Sequence, residues 1–438
     1  MLLYPSAVDL SKFERNKFEN ECFYGLPEKV VFCQNCSYSN QKPNSDKEYK
    51  HTRKSQKPTV FFDEEGVCSA CRIAEKKRLI DWQEREKQLR EICNKYRRSD
   101  GSYDCIVPGS GGKDSFFASH KLKYKYGMNP LTVTWAPHIY TDWGWKNFQS
   151  WIHSGFDNYL FTPNGRIHRL LTRLAVERLF HPFQPFIMGQ MYFPPKIALK
   201  LGIPLVFYGE NPTEYGNAAS SDNKAEKDWE YFSSPDTSNT FIAGTSIAEL
   251  ESKFGLTKND LEPYMPPNPE QLKQQQINVQ YLGYYLPWHP QECYYYAVEH
   301  GGFQASAERT AGTYSKYSSI DDKIDDLHYF TTFIKFGIGR ATYDSAQEIR
   351  NGEIERNEAI QLISRFDGEY PRRFESEIFS YLSINANDFP TASKMFEQPE
   401  MSFDYFMRLT DHARSPHIWL HEDNEWKLRA AIWHEKAS

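Results

Sequence analysis

No apolar run in the 438 residues approaches the length of a membrane span, so no spanning helix is expected. Net positive charge is also missing. The 52 Lys and Arg stand against 58 Asp and Glu, and the resulting −6 argues against nucleic acid as a partner. Residues 42–57 and 76–98 are nevertheless locally rich in Lys and Arg. The opening Met1-Leu2-Leu3-Tyr4-Pro5 soon turns polar, unlike a secretory signal, and a cytoplasmic protein is expected. No internal repeat is evident. Cysteine is sparse: eight residues, at 22, 33, 36, 68, 71, 93, 105 and 293. Four of these form two close pairs, which favours metal over a disulfide framework in a chain this long. What is abundant is aromatic: 30 Phe, 28 Tyr and 10 Trp suit stacking surfaces and a large core alike. The length allows two to three domains.

The pairs are Cys33-Gln34-Asn35-Cys36 and Cys68-Ser69-Ala70-Cys71. Each puts two thiolates on one tight knuckle, and two knuckles supply the four soft ligands of a tetrahedral Zn²⁺ site. An iron–sulfur ligand set and a redox pair are the competing readings. The 31 intervening residues exceed the usual ribbon spacing of ~15–20 and read as a polar excursion, with His51 a solvated loop residue inside it. Residues 61–67 read as a strand and turn, and residues 73–96 as one long charged helix.

After a short apolar run comes Val107-Pro108-Gly109-Ser110-Gly111-Gly112-Lys113-Asp114-Ser115, opening a helix-like stretch. The glycines let the backbone turn and present N–H groups. With the hydroxyls of Ser110 and Ser115 and a helix N-terminus, they form an anion cradle. It is not a Walker loop, because Asp114 follows Lys113 where Ser or Thr is needed, and it lacks the glycine of the dinucleotide pattern. Residues 104–107 and 130–136 read as strands around this helix, a βαβ unit of a parallel sheet. Further strands are expected at 158–162 and 203–211, with helices at 143–155 and 167–180. The fold class is therefore α/β, a parallel sheet flanked by helices. Its ligand edge carries residues 109–115, Ala136, Glu210 and Asn211. Residues 218–275 are polar and Pro-punctuated, like an insertion or lid. Asp321 and Asp322 open an acidic cluster, and Lys335 and Arg340 flank a Gly-containing turn. Residues 348–366 and the tail from 375 read as helical. The expected division is 1–98 (knuckles and linking helix), 99–217 (nucleotide domain), 218–280 (insertion or lid) and 281–438 (mainly helical, completing the site).

Ser-Gly-Gly-Lys-Asp-Ser resembles the PP-loop of ATP pyrophosphatases, which split ATP between the α- and β-phosphates. The order of knuckles, loop, Tyr208-Gly209-Glu210-Asn211, Tyr285-Leu286-Pro287-Trp288, Lys335-Phe336-Gly337-Ile338-Gly339-Arg340 and Arg365-Phe366-Asp367-Gly368 resembles the N-acetyl sugar amidotransferases of bacterial surface-glycan pathways. Lipopolysaccharide O-antigen and nonulosonic acid biosynthesis are among these pathways. The resemblance runs from the first knuckle to about residue 371. It implies a ligase that turns an acetamido sugar into an acetamidino sugar through an O-adenylyl imidate, AMP and ammonia. Diacetamido hexuronic acids and nonulosonic acids are both compatible substrates. Ser110, Gly111, Gly112, Lys113 and Ser115 would hold ATP, with Asp114 as a Mg²⁺ ligand or loop-orienting group. Lys335 and Arg340 would neutralise phosphate charge. Asp321 and Asp322 would bind Mg²⁺ or sugar, and Glu210 and Asn211 would face the substrate. No glutaminase signature is visible, so ammonia would come from a separate glutaminase subunit, alone or with a cyclase-like channel subunit. The rivals are a tRNA-thiolating PP-loop enzyme, which wants a reactive cysteine near the loop, and a non-enzymatic zinc-knuckle scaffold.

Overall fold

The structure, a computed structural model, describes residues 5–16, 20–45, 48–50, 52–216, 224–237, 240–385 and 397–434. His51 lies outside them. Five strands form the central sheet: β1 (Cys105–Pro108), β2 (Pro130–Trp135), β3 (Asn158–Phe161), β4 (Leu205–Tyr208) and β7 (Asn278–Tyr281). Between β4 and β7 in the chain lies the small antiparallel pair β5 (Phe241–Ile242) and β6 (Thr245–Ser246). The sheet order is β3-β2-β1-β4-β7, all parallel, with Ile106 opposite both Leu131 and Val206. The connections leave β1 toward one edge and return toward the other. That reversal puts the C-terminal end of β1, where the Gly-rich loop starts, at the crevice such sheets use for ligands.

Alternation along the strands decides what packs on each face. Ile106, Val133 and Val206 face the helices Gly165–Leu179 and Gln184–Leu201. Cys105, Val107, Leu205 and Phe207 face the other layer, formed by the helices Trp82–Tyr96 and Lys113–His120 and by Trp288 and Cys293. All of β2 is buried, as its β-branched and aromatic residues suit. The chain's two ends share the first of these cores. Phe13, Phe23 and Tyr24 pack with Phe406 and Trp419, and the Arg15 guanidinium grips Glu422 through two hydrogen bonds of 2.9 and 2.7 Å.

Several sequence expectations need correction. The charged helix over 73–96 is two helices, Ser69–Lys77 and Trp82–Tyr96, because Asp81 caps the second by accepting from the amides of Gln83 and Glu84. The helix over 348–366 is likewise interrupted: Arg340–Asn351 ends at Gly352 with φ +81°, and Arg356–Phe366 follows. The tail is not all helical. After Phe403–Ala413 it forms the hairpin β8 (Trp419–Glu422) and β9 (Glu425–Leu428), turned by Asp423 and Asn424 at φ 56° and 60°. Strand β7 and the helix Gln184–Leu201, which carries Pro194 and Pro195 inside it, were not anticipated. Within the segment expected as an insertion or lid, Ile242, Leu250, Leu261 and Leu272 are buried in the main core.

Candidate active site and metal centre

The Gly-rich loop leaves β1 and enters the helix Lys113–His120 through Gly112. Gly111 sits at φ +86°, and a Cβ there would meet the Phe148 Cα at 2.6 Å. The position therefore excludes side chains twice over. Ser115 folds back, its Oγ donating to the Gly112 carbonyl at 3.0 Å. The first amides of the helix have no partner inside it and face the crevice end of the sheet.

The loop lines a cavity of about 310 Å³, walled on other sides by Trp135, Phe183 and Phe186 and by Asp321, Asp325 and His328. Apolar rings and a loop of amides lining one cavity suit a purine and its phosphates. Four carboxylates line this space: Asp114, Asp321, Asp322 and Asp325. Burial pushes Asp321 and Asp325 up, although a hydrogen bond from Ser110 holds Asp321 down in part. Asp114 has one oxygen paired with Lys113 and the other, Oδ1, buried without a hydrogen-bond partner. A divalent cation would offset these charges. Among the described residues the carboxylates do not form a tight ligand group, so Mg²⁺ would be held jointly with phosphates and water, as it commonly is.

A second cavity, of about 260 Å³, shares Lys113 and Asp114 with the first. Its walls bring Glu210 and Arg340 to the loop. Tyr215 OH donates to Glu210 Oε2 at 2.7 Å. Burial, and then the charge of Asp114, push Glu210 up to about 7. Lys113 is buried; burial opposes its charge, but Asp114 and Glu210 together outweigh it and hold the ammonium above its ordinary value. Arg340 lies 2.9 Å from Asp344 and donates to Tyr329 OH at 2.6 Å.

Other candidates sit elsewhere or, like Asp322 at the edge of the first cavity, are held by the fold. Ala136 is buried with its amide bound to the Phe161 carbonyl, and Trp135 rather than Ala136 faces the cavity. The Asn211 side chain accepts from the Thr213 amide and caps the short turn Pro212–Tyr215. Asp322 accepts from the His138 amide and ring at 2.6 and 2.7 Å and from the Ile324 amide at 3.0 Å, pinning the segment after β2. Lys335 lines a third cavity, away from the loop. Asp325, His328, Tyr329 and Asp344 complete the walls. Asp325 belonged to a visible acidic cluster, but nothing in the sequence singled out the other three.

The four paired cysteines converge. Cys33 and Cys71 sulfurs are 3.9 Å apart, those of Cys36 and Cys68 are 3.6 Å apart, and all four lie within 4.8 Å of one another and are buried. A disulfide would bring sulfurs to ~2.05 Å. Four thiolates around one ion at ~2.3 Å would stand about 3.8 Å apart, so the set can hold a single metal such as zinc. Amides of Asn35 and Cys68 donate to the Cys33 sulfur at 3.4 and 3.3 Å. The knuckles rest on the site's own elements. Ser37 Oγ meets Ser345 Oγ at 3.1 Å, Ser69 Oγ donates to the Gly216 carbonyl at 2.9 Å, and Arg350 reaches from Cys36 Sγ (4.0 Å) to the Glu214 carbonyl (3.4 Å).

Residues 311–432 match the family described as LPS biosynthesis protein WbpG-like, C-terminal domain. Over 83 residues the chain is 34% identical to Uncharacterized protein MJ1599 of Methanocaldococcus jannaschii, an alignment covering 19% of this chain and 29% of that protein. The chain thus spans less than a third of the length of that relative. Among the described residues no helix is long and apolar enough to cross a membrane.

Proposed function

We propose that this chain is the synthetase half of an ATP-dependent amidotransferase of lipopolysaccharide or related surface-glycan biosynthesis, converting an acetamido sugar to an acetamidino sugar. The observation that carries the reading is the junction at Lys113 and Asp114, where a ring-and-amide cavity meets a carboxylate-rich one containing Arg340. The sheet order, the loop at the end of the central strand and the WbpG-like match over residues 311–432 support it, and with it a PP-loop fold.

In this reading the loop amides, Ser110 and Lys113 hold the β- and γ-phosphates. The amide oxygen of the sugar attacks the α-phosphorus, an O–P bond forms and pyrophosphate leaves. Arg340 neutralises charge on the transferring group. Ammonia then adds to the imidate carbon, a C–N bond forms, and AMP leaves with the former amide oxygen. Glu210, poised near 7, takes the proton that nitrogen gives up. Mg²⁺, when bound with Asp114 and Asp321, supplies further charge neutralisation. Zinc on the four cysteines is structural. The ammonia source is a separate glutaminase.

Sulfur transfer, the competing chemistry, wants a thiolate at the loop. Cys293 feels the charges of Asp114 and Glu210, but burial first and those carboxylates next push its thiol up. The test is incubation with acetamido sugars, ATP, Mg²⁺ and ammonium, read by mass spectrometry. The expected product carries NH in place of O, with AMP and pyrophosphate formed. Formation of ADP, or salt-sensitive binding of tRNA in place of sugar turnover, would overturn the reading.

A further inference from the structure

Arg340 opens the helix Arg340–Asn351, and Gly339 before it has no side chain to cap that helix. The first amides of a helix need outside acceptors. Here a carboxylate from another segment supplies them. Asp367 accepts from the Gly339 amide at 3.0 Å, from the Thr342 amide at 3.1 Å and from the Thr342 hydroxyl at 2.5 Å. It stands where a side chain at position 339 would go: a Cβ there would meet its Oδ1 at 2.7 Å. Burial raises this carboxyl to about 6, while the bonds from Thr342 and the Gly339 amide hold it down, so at about pH 8 both oxygens accept.

The two residues that follow extend the hold. Gly368 turns at φ +78°, and a Cβ there would run into the Phe333 ring, so the turn lies directly on the helix Ile324–Phe336. Glu369 accepts from the Gly312 amide at 2.9 Å and from the Arg309 guanidinium at 2.5 and 2.7 Å. The Gly312 carbonyl in turn accepts from the Ala341 amide at 2.9 Å. One turn thus ties together three pieces: the start of the Arg340 helix, the helix that carries Tyr329, and the segment 309–319. The same three pieces hold the Arg340 side chain. Its guanidinium donates to Tyr329 OH at 2.6 Å, and Tyr329 OH meets Ser319 Oγ at 2.9 Å. Asp344, 2.9 Å from Arg340, accepts from Thr313 Oγ1 at 2.6 Å. Asp367 and Glu369 themselves line none of the three cavities.

We infer that the turn Asp367-Gly368-Glu369 aims Arg340 at the reacting phosphate: Asp367 is a positioning residue that fixes the start of the arginine's helix, and Glu369 holds the segment that braces the arginine's partners. This rests on the reading that puts Arg340 on the transferring phosphate. Asp367 has no place against ATP or sugar, so its effect runs through Arg340. A displacement of about 1 Å at such a group costs up to ~10²-fold in rate.

The test is a double-mutant cycle at about pH 8. Pyrophosphate release is measured for wild type, Asp367→Asn, Arg340→Met and the double variant, with folding checked by circular dichroism. Asp367→Asn is expected to slow release by about 10- to 100-fold in the wild-type background and by less than about threefold in Arg340→Met. Additive losses overturn the inference, and so does an Asp367→Asn rate within about threefold of wild type. A second readout needs no turnover: modification of arginines by phenylglyoxal, located by peptide mass spectrometry. Arg340 should react about 5- to 30-fold faster in Asp367→Asn, while Arg350, near the far end of the same helix, keeps its wild-type rate. Equal acceleration at both arginines, or at neither, also overturns the inference. If Asp367→Asn does not fold, Gly339→Ala, which drives a methyl into the carboxylate, goes through the same measurements. If wild type releases no pyrophosphate, the proposed reaction falls, and the modification rates alone decide whether the turn holds Arg340.

Discussion

Two cavities meet at Arg340, Tyr215 and Tyr343 and carry opposite charge. Among the described residues, one is lined by Asp114, Glu210, Asp344, Glu348 and Glu353 against two cations, and the other by four cations and Glu48. The contrast is more than compositional. In the acidic cavity burial pushes Glu210 and Glu348 up to about 7, and in the basic one it brings Lys335 down to about 7. In both, water exclusion moves charged groups toward neutrality. The segregation shows that one side chain, Arg340, borders linings of unlike charge among the described residues.

The largest break in this comparison comes from outside both cavities. The helix Arg340–Asn351 and the turn Pro212–Tyr215 supply Arg340 and Tyr215, and both rest on the cysteine knuckles. Wild type is expected to carry one metal ion on the four cysteines and Cys68→Ser to lose it, measured by mass spectrometry of the native protein. The substitution should also lower stability by several kcal/mol, on the order of a structural ligand's share, and abolish turnover. A stable, metal-free and active variant would show that the knuckles do not position the site.

Next is the shared residue. Arg340→Met removes the cation on which both cavities close. Loss of charge stabilisation at a transferring phosphate should cut pyrophosphate release by about 10²–10³-fold. Because Arg340 also holds Tyr329 and Asp344, near-ultraviolet circular dichroism should accompany the rate. A rate within a few-fold of wild type would place the transferring phosphate elsewhere.

The half of the molecule that can be read from sequence is the half built by local rules. A glycine-rich turn between an apolar run and a helix, and two Cys-x-x-Cys pairs, announce themselves because each needs residues only a few positions apart. The basic cavity depends on tertiary proximity that no local pattern carries. Lys42 and Lys57 sit in a polar stretch that reads as a solvated excursion, yet Lys42 is buried and both line a cavity together with residues of the helix Ile324–Phe336. Lys335 was visible as a cation beside a Gly-containing turn. Which cavity it lines could not be read, since Gly337 at φ +66° ends its helix and turns the chain before Arg340. Asp322, one of an acidic pair, looked like its neighbour Asp321 but is consumed by His138 and backbone amides. Strand β7 is four residues long and polar at two of them, Asn278 and Gln280, so its place in the sheet depends on β4 rather than on its own pattern.

A pH series sharpens the contrast on the basic side. The Lys335 side chain sits near 7 in the folded chain and at 10.5 in the unfolded one. Between those values the unfolded chain binds a proton that the folded chain does not, so stability rises with pH across that window and is lost as pH falls toward 7. Lys335→Met has no such group. The denaturation free energy of wild type relative to this variant should therefore climb from pH 7 to 10, by on the order of 3 to 4 kcal/mol. A flat difference would mean that Lys335 keeps its proton throughout.

The smallest expected effect lies on the acidic side, at Glu353. It stands 3.2 Å from His289 and is partly open to solvent, so its charge is screened more than that of Glu210. If the cavity gathers ammonium by charge, Glu353→Gln should raise the KM for ammonium by about two- to fivefold, in keeping with the worth of an exposed charge. The KM for ATP and pyrophosphate release at saturating ammonium should not move. The split between the two constants is what decides: a general loss of turnover would mark Glu353 as part of the fold, and an unchanged ammonium KM would mean that the carboxylates are there for some cation other than the nitrogen donor.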